Sequence, residues 1–302
     1  MFSLEELQGI RNQANQDYKA RYSDVLEPGD EEMFLKPEEE GLLCKIVAET
    51  GLRFGDDFRP AIWPSVRWIA FTYFKRFFLR HSTMEYSPKN IMMACYYLAA
   101  KVDEFNISID EFLVNLRSGT PQGNAETILT LEPELMLKLD YHLTVHSPFR
   151  SFEGFLIEMK ARLQLGFDLE QIRDHSTRFF KRALIGDCLL LYSPSQITLA
   201  AVKYGLQQCE KEEIMKDYLA KIFEIDTWKS DPEDVKKMEG LAQRIDQIIE
   251  FVFEQAKPID SEANGSLQDR MREWGTFSAR IEQRRQAASG NPNSNELSDD
   301  DL

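Results

Sequence analysis

The sequence predicts an all-α protein: a helical domain duplicated in tandem, with an extra helix at each end. The first ground is periodicity, because apolar residues recur at helical spacing along nearly the whole chain. The second is a repeat. FKRFFLRHSTMEYSPKNI, residues 74–91, returns as FKRALIGDCLLLYSPSQI, residues 180–197, with Phe74, Lys75, Arg76, Tyr86, Ser87, Pro88 and Ile91 identical at a spacing of 106. Such a spacing exceeds the roughly 20–50 residues of a solenoid unit, so it marks a duplicated globular domain. The third is composition: 43% apolar and 11% aromatic residues suit a folded core.

The elements follow in order. Ser3 and Glu6 form a capping box, and Leu4, Leu7, Ala14 and Tyr18 continue at helical spacing. RYSDVLEPGDEEMFLKP breaks that helix. Pro37 opens the next, PEEEGLLCKIVAETGL, with three glutamates in its first turn, where the helix dipole favours them. GLRFG, residues 51–55, reads as a helix stop. In each twin segment an amphipathic helix ends before Tyr-Ser-Pro; Ser87 or Ser193 can cap the following helix, and Pro88 or Pro194 takes its first position. Ile91, Cys95, Leu98, Ala99 and Val102 line one face after the first, and Ile197, Ala201 and Tyr204 after the second. Ala94 and Ala200 mark close helix packing in both. A helix over 124–141 leads through YHLTVHSP straight into SFEGFLIEMKARL. The second copy continues through 212–223 and PEDVKKMEGLAQRIDQIIEFVFEQ, and Lys257-Pro258 ends it. Ser266 and Asp269 then read as the capping pair of a last helix carrying Leu267, Met271, Trp274 and Ile281 on one face. Residues 289–302 lack apolar periodicity and are expected to be disordered.

Charge and motifs exclude several classes. A net charge of −15 opposes sequence-independent nucleic-acid binding, which runs on Lys and Arg facing phosphates, and suits a chain that meets other proteins. Cys44, Cys95, Cys188 and Cys209 show no C-x-x-C spacing and read as core residues of a reducing compartment. There is no apolar run of membrane-spanning length and no signal peptide, so a soluble, intracellular protein is expected. Nucleotide, hydrolase and zincin signatures are missing. His142 and His146 are four apart, but they fall where a helix is ending and have no further ligand nearby. No catalytic residue, cofactor or metal is expected.

Several segments carry a family likeness. MMACYYLAAKVDEFNIS (92–108) resembles the third helix and following turn of a cyclin box. KRFFLRHSTMEYSP (75–88), FLKPEEEGLLCK (34–45), SPFRSFEGFLIEMKARL (147–163), LLLYSPSQITLAAV (189–202) and the closing SDDDL are similar to transcription-associated cyclins. The resemblance implies two tandem five-helix cyclin-box repeats flanked by N- and C-terminal helices. Residues 1–56 would hold the N-terminal helix, a linker and the first helix of the first repeat. Residues 57–145 would complete the first box, 146–257 form the second, 258–288 the C-terminal helix and 289–302 the acidic tail.

In cyclins a lysine ending the third helix and a glutamate in the fifth grip backbone near the kinase αC helix. Lys101 matches that lysine and Glu132 that glutamate, with Val102, Met136 and Tyr141 as apolar surroundings. From the residues alone, Lys101 reads first as a cap on its own helix carbonyls, while Ile128, Leu131, Leu135 and Leu139 take the core face. The likeness implies a non-catalytic nuclear regulator. Its partners would be the catalytic subunit of the CDK-activating kinase, a RING-finger assembly subunit and the TFIIH core, with no direct contact to nucleic acid or membrane. Substrates would be CDK activation loops and the RNA polymerase II repeats.

The sequence departs from cell-cycle cyclins in lacking their docking patch on the first helix and an N-terminal destruction box. It also begins close to where the family's first helix begins, so a kinase contact made upstream is expected to be reduced. Ser298, before Asp299, Asp300 and Asp301, reads either as an acid-directed phosphorylation site or as part of a solubilising end. Two rival readings use the same fold: a TFIIB-like DNA-binding core, and a transcription cyclin that pairs with an elongation kinase.

Overall fold

In the computed structural model, which describes residues 2–225 and 231–288, the described residues form thirteen α-helices and no strand. The tail 289–302, and Ser298 with it, lies outside the described residues. Helix α1 (Leu4–Ala20) leads through two 3-10 turns to α2 (Pro37–Asp57), α3 (Pro64–Arg80), α4 (Pro88–Val102), the short α5 (Ile109–Leu113) and α6 (Pro121–Lys138). A second series follows: α7 (Phe149–Arg162), α8 (Arg173–Ala183), the one-turn α9 (Cys188–Leu191), α10 (Pro194–Gln208), α11 (Glu213–Ile222) and α12 (Pro232–Gln255). Helix α13 (Ser261–Ala288) comes last.

Local chemistry sets most of these boundaries. The Ser3–Glu6 capping box forms as the residues require. Pro37, Pro88 and Pro194 each sit in the first turn of a helix, where a missing N–H costs nothing. The twin serines differ, however. Ser193 makes a full capping box with Gln196, whereas the Ser87 side chain makes no cap bond.

Three expectations need correction. GLRFG does not stop α2, which runs on to Asp57. Gly51 and Gly55 are buried packing positions instead: a Cβ at Gly51 would meet the Met92 side chain at 3.2 Å, and one at Gly55 would fall 2.7 Å from Tyr96 Oη. Their bare backbone lets α2 lie close against α4. Ser266 is not a cap, because α13 has already begun at Ser261. The helix expected over 124–141 starts earlier, under the Thr120 cap at Pro121, and ends at Lys138.

Helix α4 is apolar almost all round and is buried from Ile91 to Ala100, as befits a helix surrounded by others. It packs against α2, α3 and α6, and α10 holds the same central place among α7, α8, α11 and α12. Ala94 and Ala200 are fully buried in both. One continuous core joins the two series. At the seam, Trp68 on α3 stands edge-on to Phe149 and Phe180. The repeated lysines reach across in opposite directions. Lys75 Nζ donates to the Ile185 carbonyl at 2.6 Å, and Lys181 Nζ meets Asp56 at 2.7 Å.

The terminal helices come together beside this body. Tyr18 and Tyr22 pack with Phe34, Trp274, Phe277 and Ile281 in a separate apolar cluster. Arg280 and Arg284 on α13 ion-pair with buried Asp30 in the linker. Arg11 on α1 grips Asp187 with two hydrogen bonds of 2.8 and 2.7 Å, and Leu7 packs with Leu79, Leu190 and Leu191.

Candidate functional site

Helices α4 and α6 pack side by side and end in the same way. After α4, Glu104 takes a left-handed conformation (φ 58°), the Phe105 N–H donates back to the Ala100 carbonyl at 2.8 Å, and Glu104 N–H donates to Lys101. After α6, Asp140 (φ 52°) plays the role of Glu104, the Tyr141 N–H reaches the Met136 carbonyl at 2.9 Å, and Asp140 N–H donates to Leu137. This is the Schellman closure, with an acidic residue where glycine is usual. It is why neither helix end shows a glycine stop in the sequence. Ser65 Oγ, at the start of α3, donates to Asp103 at 2.5 Å and pins the α4 turn in place.

The five singled-out residues lie on these two helices and on the turn after α6. Lys101 Nζ donates to Glu132 Oε1 at 2.5 Å, the lysine side chain 51% exposed and the glutamate 9%. Lys101 therefore does not cap its own helix; the N–H of Asp103 bonds the last carbonyls. The ammonium has three donors and gives one to Glu132, on a side chain that is half exposed. Val102 is 37% and Tyr141 65% exposed, an unusual state for such side chains, while Met136 is partly buried against the core. Ile128, Leu135 and Leu139 point into that core and Leu131 packs against it.

Two neighbours went unread in the sequence. Leu129, three residues before Glu132 and on the same face, is 48% exposed. Tyr97, four residues before Lys101, puts its ring 5.4 Å beneath the lysine ammonium. The i, i+3 spacing of Leu129 and Glu132 and the i, i+4 spacing of Tyr97 and Lys101 were visible in the sequence, but exposure and ring orientation were not.

The arrangement is a charged pair on helices that also carry the exposed apolar side chains of Val102 and Leu129. It contains no nucleophile with an adjacent base, and none of its groups forms a metal cluster; among the described residues no group of three His, Cys, Asp or Glu could hold a metal ion. No helix among them is long and apolar enough to cross a membrane.

The family description "Cyclin, N-terminal domain" fits residues 61–144, and "Cyclin C-terminal domain" fits residues 147–253. The chain belongs to the cyclin family. Among similar cyclins, Cyclin-H of Xenopus laevis is 42% identical over 196 residues, which is 64% of this chain and 60% of the Xenopus protein. The chain thus matches three-fifths of that relative's length. Two solved assemblies contain chains of this cyclin fold. One is the CAK complex from Chaetomium thermophilum bound to ATP-gamma-S, with a TM-score of 0.75 at 20% identity over 100% of this chain and 94% of that one. The other is the yeast TFIIK (Kin28/Ccl1/Tfb3) complex, with a TM-score of 0.63 at 26% identity, covering 83% of this chain and 95% of that one.

Proposed function

We propose that this cyclin is the regulatory subunit of a CDK-activating kinase, the kinase module of TFIIH, and that it has no catalysis of its own. Its docking surface is the Lys101–Glu132 pair with Val102, Met136 and Tyr141. The observation that carries this reading is the pair itself: a shielded carboxylate within α6 holds a half-exposed lysine in the last turn of α4, near apolar side chains left in solvent. Similarity to Cyclin-H, and a fold found in the CAK and TFIIK complexes, support the choice of kinase.

The mechanism follows from population shift. A protein kinase works only when its strand lysine pairs with the αC glutamate and its activation loop is ordered. Reversing a 1:99 equilibrium takes a differential affinity of about 5.5 kcal/mol. An interface on the order of 1,600 Å² is of ordinary size for a stable complex. Lys101 donates to carbonyls near the αC helix only when that helix is in its active place, Glu132 holds the lysine there, and the rim buries apolar surface. The partners in this reading are the kinase catalytic subunit, a RING-finger assembly subunit and the TFIIH core, in the nucleus. The supported substrates are CDK activation loops and the polymerase repeats. The tail serine, Ser298, remains a candidate site for an acid-directed kinase.

The test mixes the purified chain with the catalytic subunit and measures binding and phosphorylation of both substrate classes. Lys101→Ala combined with Glu132→Ala is expected to abolish activation. Unchanged binding and activation by that double variant would refute the site.

A further inference from the structure

Lys101 is held from two sides. The Glu132 carboxylate takes one N–H at 2.5 Å, and the Tyr97 ring lies under the ammonium with its centroid 5.4 Å away. The spacing of four residues stacks the two side chains on one face of α4. Tyr97 is itself fixed: it is buried, and its ring stands edge-on to that of fully buried Phe112 on α5, with centroids 5.5 Å apart. The negative face of an aromatic ring attracts a cation within about 6 Å. A lysine stem is otherwise free to turn among many rotamers, and ordering it on binding costs affinity.

We propose that Tyr97 is a positioning residue for the docking lysine. Its ring, braced by Phe112, and the Glu132 carboxylate form a two-walled seat that holds the Lys101 ammonium in its binding geometry before a partner arrives. The proposal rests on the reading of Lys101 as a kinase contact. Removing the ring leaves Lys101 charged and still paired with Glu132, but free to swing. The phenol oxygen plays no part, so phenylalanine at this position keeps the seat and leucine loses it.

The experiment measures affinity of the full chain for the kinase catalytic subunit by calorimetry, alongside the proton shifts of the Lys101 ε-methylene by NMR. A cation over a ring at a partly exposed site changes an equilibrium constant roughly two- to five-fold. Tyr97→Leu is expected to weaken binding by that factor, Tyr97→Phe to leave it unchanged, and Tyr97→Leu added to Lys101→Met to cost nothing further. The ε-methylene protons should be shifted upfield by the ring current in the unmodified chain and in Tyr97→Phe. Unshifted protons in the unmodified chain would overturn the seat whatever any variant does. So would an equal loss from Tyr97→Leu with Lys101 already removed, since the effect would then be structural. If Lys101→Met alone binds as well as the unmodified chain while the ε-methylene protons are shifted, the docking reading fails and the seat is a local feature without that role.

Discussion

The two members of the central pair are unequally shielded, and this predicts unequal costs on removing them. The Glu132 side chain is nearly buried while that of Lys101 is half in water. Lys101→Met keeps the apolar stem and deletes only the charge, leaving a shielded carboxylate with its ion-pair partner gone. A stranded buried polar group costs about 1–3 kcal/mol. Glu132→Gln keeps the shape of the acid and leaves an ammonium that turns outward to solvent. The loss is then that of a partly exposed pair, about 0–1 kcal/mol. Denaturant unfolding followed by tryptophan fluorescence measures both, since Trp68 and Trp274 are buried. The expected result is a lower midpoint at unchanged slope for Lys101→Met, and a small shift for Glu132→Gln. If Glu132→Gln proves as costly as Lys101→Met or costlier, the carboxylate is not the dependent member of the pair, and the account of Glu132 as a shielded anchor fails.

Two further predictions concern the frame around the site. Burial pushes the Asp187 carboxyl up, but the Arg11 hydrogen bonds and the charges of Lys75 and Arg11 outweigh it and hold the group below its ordinary 3.8. A depressed carboxyl contributes stability that is whole above the unfolded value and is lost as pH falls through the folded one. Hydrogen exchange should therefore find α1 protected at pH 5 and loosened well below about pH 3.8, with Asp187→Asn already loose at pH 5; equal protection in all three cases would refute the role of the ion pair. Gly55→Ala places a Cβ 2.7 Å from Tyr96 Oη and 2.8 Å from Arg67 Nε, an overpacking expected to cost about 1–3 kcal/mol. Gly41→Ala, also on α2 but with nothing within 4 Å of its Cβ, should be neutral or stabilising by up to about 1 kcal/mol; equal effects of the two would refute close α2–α4 packing.

What the sequence revealed was local punctuation. Proline in the first turn and serine before it place the starts of α4 and α10 to the residue, because those signals act through the chain's own backbone. What it concealed depended on neighbours distant in sequence. Gly51 and Gly55 look like a stop until α4 is laid against them, when Met92 and Tyr96 occupy the room that side chains would need. Ser266 and Asp269 have the letters of a cap, yet α13 has already begun at Ser261. The ends of α4 and α6 carry acids rather than glycine in the left-handed position, so no stop residue announces them. The pairing of Lys101 with Glu132 came from family likeness, whereas the residues alone favoured a helix cap. The structure favours the pair, by distance.

The repeat gives the proposed docking site a reason to sit on two bundles. Carried forward by 106 residues, α4 falls on α10, and its closure falls on Glu210, again left-handed, with the Lys211 N–H donating to the Leu206 carbonyl as Phe105 does to Ala100. The backbone device is therefore duplicated. The chemistry is not: the counterpart of Lys101 is Gln207, whose amide donates to Glu212 at 3.0 Å in its own bundle. Meanwhile the repeated lysines of the FKR segments both serve the seam, Lys75 on the Ile185 carbonyl and Lys181 on Asp56, around an edge-on cluster of Trp68, Phe149 and Phe180. A recognition surface loses less entropy on binding when its frame is already ordered. One copy presents the lysine, and the other, joined to it by a part-buried lysine contact from Lys75, an exposed ion pair from Lys181 and a shared core, holds α3 and hence α4 in place; in the proposed docking mode this keeps Lys101 from shifting as a kinase helix meets it.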